Sequence, residues 1–285
     1  MRIFFSLVAV FFLAFQSIAQ TTPSPGLAFN AAEFTKRFEV VEWLVEYDNI
    51  AWKTTDFLLA LPKDELSKLG SEWFCFQDKN KRWHAVYGGL IDGKYQVAVH
   101  LEMDSKEKIT KSTQVVDADF LTKHALALKT GLEKLQSTIP KGSPRFNQYI
   151  RQNSDKTFSV WLLPAFQPNR LAAFGGEAVY LIDSAGTRIL KDDSYFQKVF
   201  RGFMSEPPRE IWLDYREMDA PSLGAIFFVW YYKSYFTNIF IDNAKSTSTV
   251  VKTGPTYTWV HVVKEGPTKS QPEDLSRPKL ERKKP

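Results

Sequence analysis

Apolar residues recur every three or four positions near the start of the chain. Asn30-Ala-Ala-Glu33 has the form of a capping box, and Ala31, Phe34, Phe38, Val41 and Val45 follow at helical spacing. The pattern predicts a helix ending near Tyr47, a second short helical piece through Phe57–Leu59, and a third opened by Pro62 and closed by Gly70. From Trp73 the period falls to two. Trp73–Gln77, Arg82–Leu90 and Tyr95–Leu101 read as an antiparallel meander, with Asp92-Gly93 as a two-residue hairpin turn between the second and third strands. Helical spacing returns after Asp117 or Asp119, either of which can cap a long helix. Its Leu121, Ala125, Leu128, Leu132, Leu135 and Ile139 make one buried stripe.

Pro140-Lys-Gly-Ser-Pro144 is the best internal boundary, because two prolines flanking Gly-Ser neither continue a helix nor enter a central strand. Beyond it, Phe158–Leu163, Ala178–Asp183, Arg188–Leu190, Glu210–Tyr215, Ala225–Tyr232, Thr237–Ile241, Thr247–Val251 and Thr256–Val263 read as strands. Gly186 is placed for a left-handed turn position. Tyr195, Phe196, Val199, Phe200 and Phe203 keep the spacing of a helix that Pro207-Pro208 stops. Two glycines at Gly175-Gly176, before Glu177, allow a tight turn or a close backbone approach. Successive strands without intervening helices predict antiparallel pairing and an α+β class, against a doubly wound parallel sheet. The expected organisation is a signal peptide over 1–19, then helices, meander and long amphipathic helix over 20–140. A strand-rich antiparallel half over 147–263 and a disordered basic tail over 264–285 complete it.

Within the second half, Thr157-Phe-Ser-Val-Trp-Leu-Leu-Pro-Ala165, Phe174-Gly-Gly-Glu177 and Leu181-Ile-Asp-Ser-Ala-Gly-Thr187 carry a resemblance. This region resembles exported bacterial proteins of uncharacterised function. The resemblance implies export and no particular activity, so it assigns no functional residue.

Composition bears on location and partners. A chain of 285 residues that is 44% hydrophobic and 24% charged is neither disordered nor a minimal disulfide scaffold. Arg2, the apolar run Ile3–Phe15 and the small residues of Ser17-Ile18-Ala19 predict a signal peptide cleaved after Ala19. The run is short of the roughly 20 residues that span a bilayer, so a soluble periplasmic or extracellular product is expected, without a transmembrane segment. Neither a lipid-accepting Cys at the cleavage point nor an Asn-x-Ser/Thr acceptor is present. The formal charge of +5 sits mostly in the tail, where seven Lys or Arg stand against four acids from Lys264 onward. The body is near neutral and lacks the basic face that nucleic-acid binding needs.

The chain has no Gly-x-Ser-x-Gly elbow, phosphate loop, His-Glu-x-x-His or calcium loop. With one Cys and four His in distant segments, no disulfide, metal or other cofactor is expected. The Asp92-Gly93 turn pairs Ile91 with Lys94, which by extension puts His84 opposite Leu101 and His100 opposite Ala85. An even-length loop centred on Lys79-Asn80 then sets Cys75 across from His84, close enough for a thiolate and imidazolium pair. An odd-length loop turns Cys75 to the other face and removes the pair, and a buried, inert thiol is the plainer expectation.

The opposite face is expected to carry Trp83, Tyr87, His100 and Glu102, with Gln96 nearby. That set is either a stacking surface for a sugar or planar ligand or the packing surface of the long helix. At the end of the first helix, Glu46, Asp48 and Asp56 surround Trp43, Tyr47 and Trp52, which reads as an acidic and aromatic sugar site or as turn chemistry. The expected function is that of an exported, non-enzymatic binding or envelope-associated protein with a small-molecule or envelope partner. The alternative is a hydrolase using Cys75 and His84.

Overall fold

The structure is a computed structural model that describes residues 29–264. The expected signal peptide with its expected cleavage point, and the expected tail beyond Lys264, lie outside the described residues. Helix α1 spans Ala31–Leu59, and Asn30 caps it by accepting from the Glu33 amide at 3.0 Å. It runs through both of the helical pieces expected up to Leu59, without a break at Tyr47, because no Gly or Pro interrupts the chain between them. Val41, Leu44, Tyr47, Ile50, Ala51 and Leu58 make its buried stripe. The short α2, Lys63–Leu66, follows Pro62.

Strands β1 (Glu72–Gln77), β2 (Trp83–Ile91), β3 (Lys94–Met103) and β4 (Ile109–Lys111) form an antiparallel sheet in chain order. The hairpin at Asp92-Gly93 forms as expected, with φ of 49° and 75°. Its register holds only as far as Gly88, opposite Val97. Tyr87 then faces Val99, so Ala98 is an extra residue in β3. Past this bulge His84 faces Glu102 and His100 faces Val86, one residue off the expected pairing. The β1–β2 connection also departs from the even-length expectation. Asp78 Oδ1 accepts from the amides of Asn80 and Arg82 at 2.8 and 2.9 Å, and Lys81 takes a left-handed φ of 60°. This closes an odd-length turn, so Cys75 pairs with Ala85 and His84 with Phe76.

Helix α3, Ala118–Thr138, is capped by Asp117, which accepts from the Phe120 amide at 2.7 Å. A second sheet follows: β5 (Phe146–Gln152), β6 (Phe158–Pro164), β7 (Phe166–Gln167), β8 (Leu171–Ile182), β9 (Ile189–Asp192) and β10 (Tyr195–Met204). Its main order is β10-β8-β6-β5, all antiparallel. The segment Tyr195–Phe203, expected as a helix, is a strand because it pairs along β8, with a bulge between Phe196 and Arg201. Aromatic residues suit a pleated surface, and pairing outweighs their spacing.

The third sheet holds β11 (Glu210–Tyr215), β12 (Asn238–Asn243), β13 (Ser246–Thr253) and β14 (Thr256–Val263). Between β11 and β12 lies α4, Leu223–Tyr232, where a strand was expected. This segment is apolar on nearly every side, so no period marks it as helix or strand, and Ser222 starts it by accepting from the Ala225 amide at 3.2 Å. The helical crossover makes β11 and β12 a parallel pair in an otherwise antiparallel fold. The class is α+β, with mainly antiparallel sheets and a helical N-terminal segment.

Both halves of the chain share their cores, so Pro140–Pro144 is a loop within one packed unit and does not divide it. Under α1, Cys75, Ala85 and Leu101 of the first sheet pack with Tyr149, Trp161, Ile226 and Phe227. Under α3, Phe74, Phe76 and Val86 pack with Ile150, Val160, Leu162 and Tyr180. The first two sheets meet along β1 and β5, where no backbone ladder forms and Gln148 Nε2 donates to the Trp73 carbonyl at 2.8 Å. Clefts open at both ends of this seam. Among the described residues no helix is long and apolar enough to cross a membrane.

Candidate functional site

The Cys75 and His84 pair does not exist. Cys75 lies fully buried on the α1 side of the sheet, and its amide donates to the Tyr47 hydroxyl at 2.8 Å. Burial pushes the thiol well above its usual range, and the negative charge of Asp48 adds to that. His84 points to the other face, stacked on Phe76, with Nδ1 3.0 Å from His100 Nε2 and Nε2 3.6 Å from Asp78 Oδ2. Burial lowers the pKa of both histidines, against the pull of Asp78 on His84. The odd-length turn at Asp78 decides this separation.

The set Trp83, Tyr87, His100 and Glu102 is divided in the same way. Trp83 and Tyr87 are buried under α1, Trp83 Nε1 donating to Glu46 at 2.7 Å and the Tyr87 hydroxyl bonded to Thr54 at 2.7 Å. His100 and Glu102 lie on the opposite face, where Glu102 accepts from Ser112 Oγ at 2.8 Å. Ala98 inverts the faces of β3 beyond the turn, and the long helix α3 packs on the side away from Trp83.

The acidic and aromatic cluster of α1 fares better. Asp48 and Trp52, four residues apart on one helix face, open onto a cleft of about 200 Å³. Trp73 of β1, Asn147 of β5, Phe166 of β7 and Tyr231 of α4 complete its walls. Asp56 is exposed and does not line it, while Tyr47 is packed in the core.

Asp48 is 3% exposed. Its Oδ1 accepts from the Tyr149 hydroxyl at 2.8 Å and from Asn147 Nδ2 at 3.0 Å, while the buried Oδ2 has no hydrogen-bond partner. Burial raises its pKa, and the nearby Tyr231 hydroxyl, outside hydrogen-bond geometry, together with the bonds from Tyr149 and Asn147 pulls partly the other way. An ionised carboxylate with one oxygen unsatisfied costs several kcal/mol in such a place, so the wall of the cleft carries an acceptor that a donor would stabilise. Asn147, Phe166 and Tyr231 escape sequence reasoning for different reasons. The polar strand β5 has no apolar alternation, β7 is two residues long, and α4 has no period.

A second buried carboxyl, Glu177, serves the fold. It sits at the start of α4, accepting from Ser222 Oγ at 2.8 Å and from the Gly224 amide. A Cβ at Gly224 would stand 2.2 Å from Glu177 Oε2, which explains the glycine. Burial pushes this carboxyl up to about 7, against the bonds from Ser222 and Gly224 and the charge of Arg37. Among the described residues no three of His, Cys, Asp or Glu converge as a metal ion requires. No family model, no curated protein and no solved structure matches this chain.

Proposed function

We propose that the protein is exported and binds, without transforming it, a small molecule bearing an ammonium group that docks on Asp48. The observation that carries the reading is the unpartnered Asp48 Oδ2 beside an aromatic cleft. A buried carboxylate calls for a compensating charge, and a lining that includes the aromatic rings of Trp52, Trp73, Phe166 and Tyr231 favours a cation over a neutral guest. Binding is favoured over chemistry by what lines the cleft. Among the described residues Asp48 is the one carboxyl there, whereas glycosidic hydrolysis uses two. Among the described residues that line the cleft there is no thiol or imidazole to make a nucleophile and base. Export rests on Arg2, the apolar run Ile3–Phe15 and the small residues before Gln20. A bacterial periplasmic or extracellular setting, with an envelope role, is consistent with the lone Cys and with the resemblance in the second half.

The test is titration of the full mature chain with phenethylammonium at pH 7.5, followed by calorimetry. Saturable binding that weakens at least about tenfold in Asp48→Asn supports the reading. Equal binding by the variant, or saturation by N-acetylglucosamine in place of the amine, overturns it. Export is tested separately by sequencing the N-terminus of protein recovered outside the cytoplasm, where a chain starting at Met1 would refute it.

A further inference from the structure

At the other end of the seam between β1 and β5 lies a second cleft, of about 320 Å³. The last residues of β1 and β5 line it, and Trp43 of α1 with Phe120 and His124 of α3 complete the walls. Arg151 of β5 reaches into it. Its guanidinium lies 5.1 Å from the Trp43 ring and 5.4 Å from the Trp161 ring, resting against two indoles whose own centroids are 5.7 Å apart. Among the described residues no acid lies within 4.0 Å of it and it donates to no acceptor; burial alone draws its pKa down, with no carboxylate offsetting the loss. The other titratable groups of the cleft are accounted for. Asp78 spends its charge in its own turn, accepting from the Asn80 and Arg82 amides and from Arg82 Nε at 3.0 Å. His124 is held near pKa 4 by burial, with Nδ1 2.7 Å from the Phe120 carbonyl, and is neutral.

We infer that this cleft binds an organic carboxylate on an aromatic or similarly flat apolar body, with Arg151 as the anchor. A guanidinium that rests against two indoles and has no hydrogen-bond partner among the described residues offers a carboxylate its planar fork and two parallel hydrogen bonds. Phe76, Phe120, Ile150 and Trp43 give the rest of the ligand an apolar bed. The volume lies at the small end of ligand pockets and suits a one- or two-ring acid better than a nucleotide. The inference is independent of the Asp48 cleft, since the two share no lining residue.

The experiment is calorimetric titration of the full mature chain with indole-3-acetate, with indole-3-acetamide and inorganic phosphate as comparison probes. The acid is expected to saturate, with the amide and phosphate each at least about tenfold weaker, because one lacks the charge and the other the apolar body. Arg151→Gln should abolish binding, and Arg151→Lys should weaken it about tenfold by losing the fork. A saturating amount of phenethylammonium should leave the acid's affinity unchanged. Amide binding equal to the acid, phosphate binding equal to the acid, no saturation by ~10 mM, displacement by the amine, or an undiminished Arg151→Gln each overturns the inference. Should Arg151→Gln fail to fold, the acid against amide comparison on the unaltered chain still decides.

Discussion

Replacing Glu177 by Gln should remove a pH dependence of stability that the folded structure builds in. Glu177 is buried at the first turn of α4, and burial raises its pKa from 4.5 to about 7 despite the donors Ser222 and Gly224 and the nearby charge of Arg37. The folded chain therefore holds this proton more tightly than the unfolded chain does. Stability from the protonated form is complete below about pH 4.5, falls as pH rises through about 7, and is flat beyond. At ~1.4 kcal/mol for each pH unit between those values, the loss is at most about 3.5 kcal/mol. Gln keeps a carbonyl oxygen for Ser222 and Gly224 and carries no charge. It should match the wild type within about 1 kcal/mol at pH 4.5 and exceed it by up to about 3.5 kcal/mol at pH 8. Urea unfolding of both proteins at pH 4.5, 6 and 8 and constant ionic strength gives the difference directly, and subtraction cancels the other titrating groups. A difference that does not vary with pH, or a Gln variant weaker at pH 8 than at pH 4.5, would refute the reasoning.

Three further outcomes are expected. Cys75 in the native protein should resist iodoacetamide from pH 5 to 9 and react fully only after unfolding, and Cys75→Ala should cost about 1 kcal/mol; rapid native alkylation would contradict its burial. Tyr149→Phe removes a 2.8 Å bond to Asp48 Oδ1 and should lower unfolding free energy at pH 7.5 by about 1–3 kcal/mol, so an unchanged urea midpoint would show that the bond contributes nothing. Deleting Ala98 removes the unpaired residue and lets the pairs Gly88–Val97, Tyr87–Val99 and Val86–His100 run on without a break, so His100 and Glu102 keep their face; a change in unfolding free energy within about 2 kcal/mol, read by urea unfolding, is expected, and a loss above about 4 kcal/mol would show that the bulge itself is required.

Some of this protein is written in residues that lie within four positions of one another. Asn30 with Glu33, and Asp117 with the Phe120 amide, start their helices through contacts three residues long, and Asp92-Gly93 makes its turn by its own φ angles. The leucine stripe of α3 likewise announces a helix with one buried face, and these local rules suffice for the α+β class and its antiparallel meander. Tertiary structure decided the rest, because the deciding partner is far away in sequence. Ala98 bulges where β2 and β3 meet, and with a side-chain period of two that single residue moves His100 and Glu102 to the face opposite Trp83 and Tyr87. Tyr195–Phe203 became a strand on finding β8, and Ala225–Tyr232 a helix on finding α1 and the third sheet, since an all-apolar run carries no period of its own. The Asp48 cleft is the clearest case. Its Asp48 and Trp52 stand together in the sequence, but the donors that hold Asp48 come from Asn147 and Tyr149, about a hundred positions on, and only packing α1 against β5 leaves one carboxylate oxygen buried and unfilled.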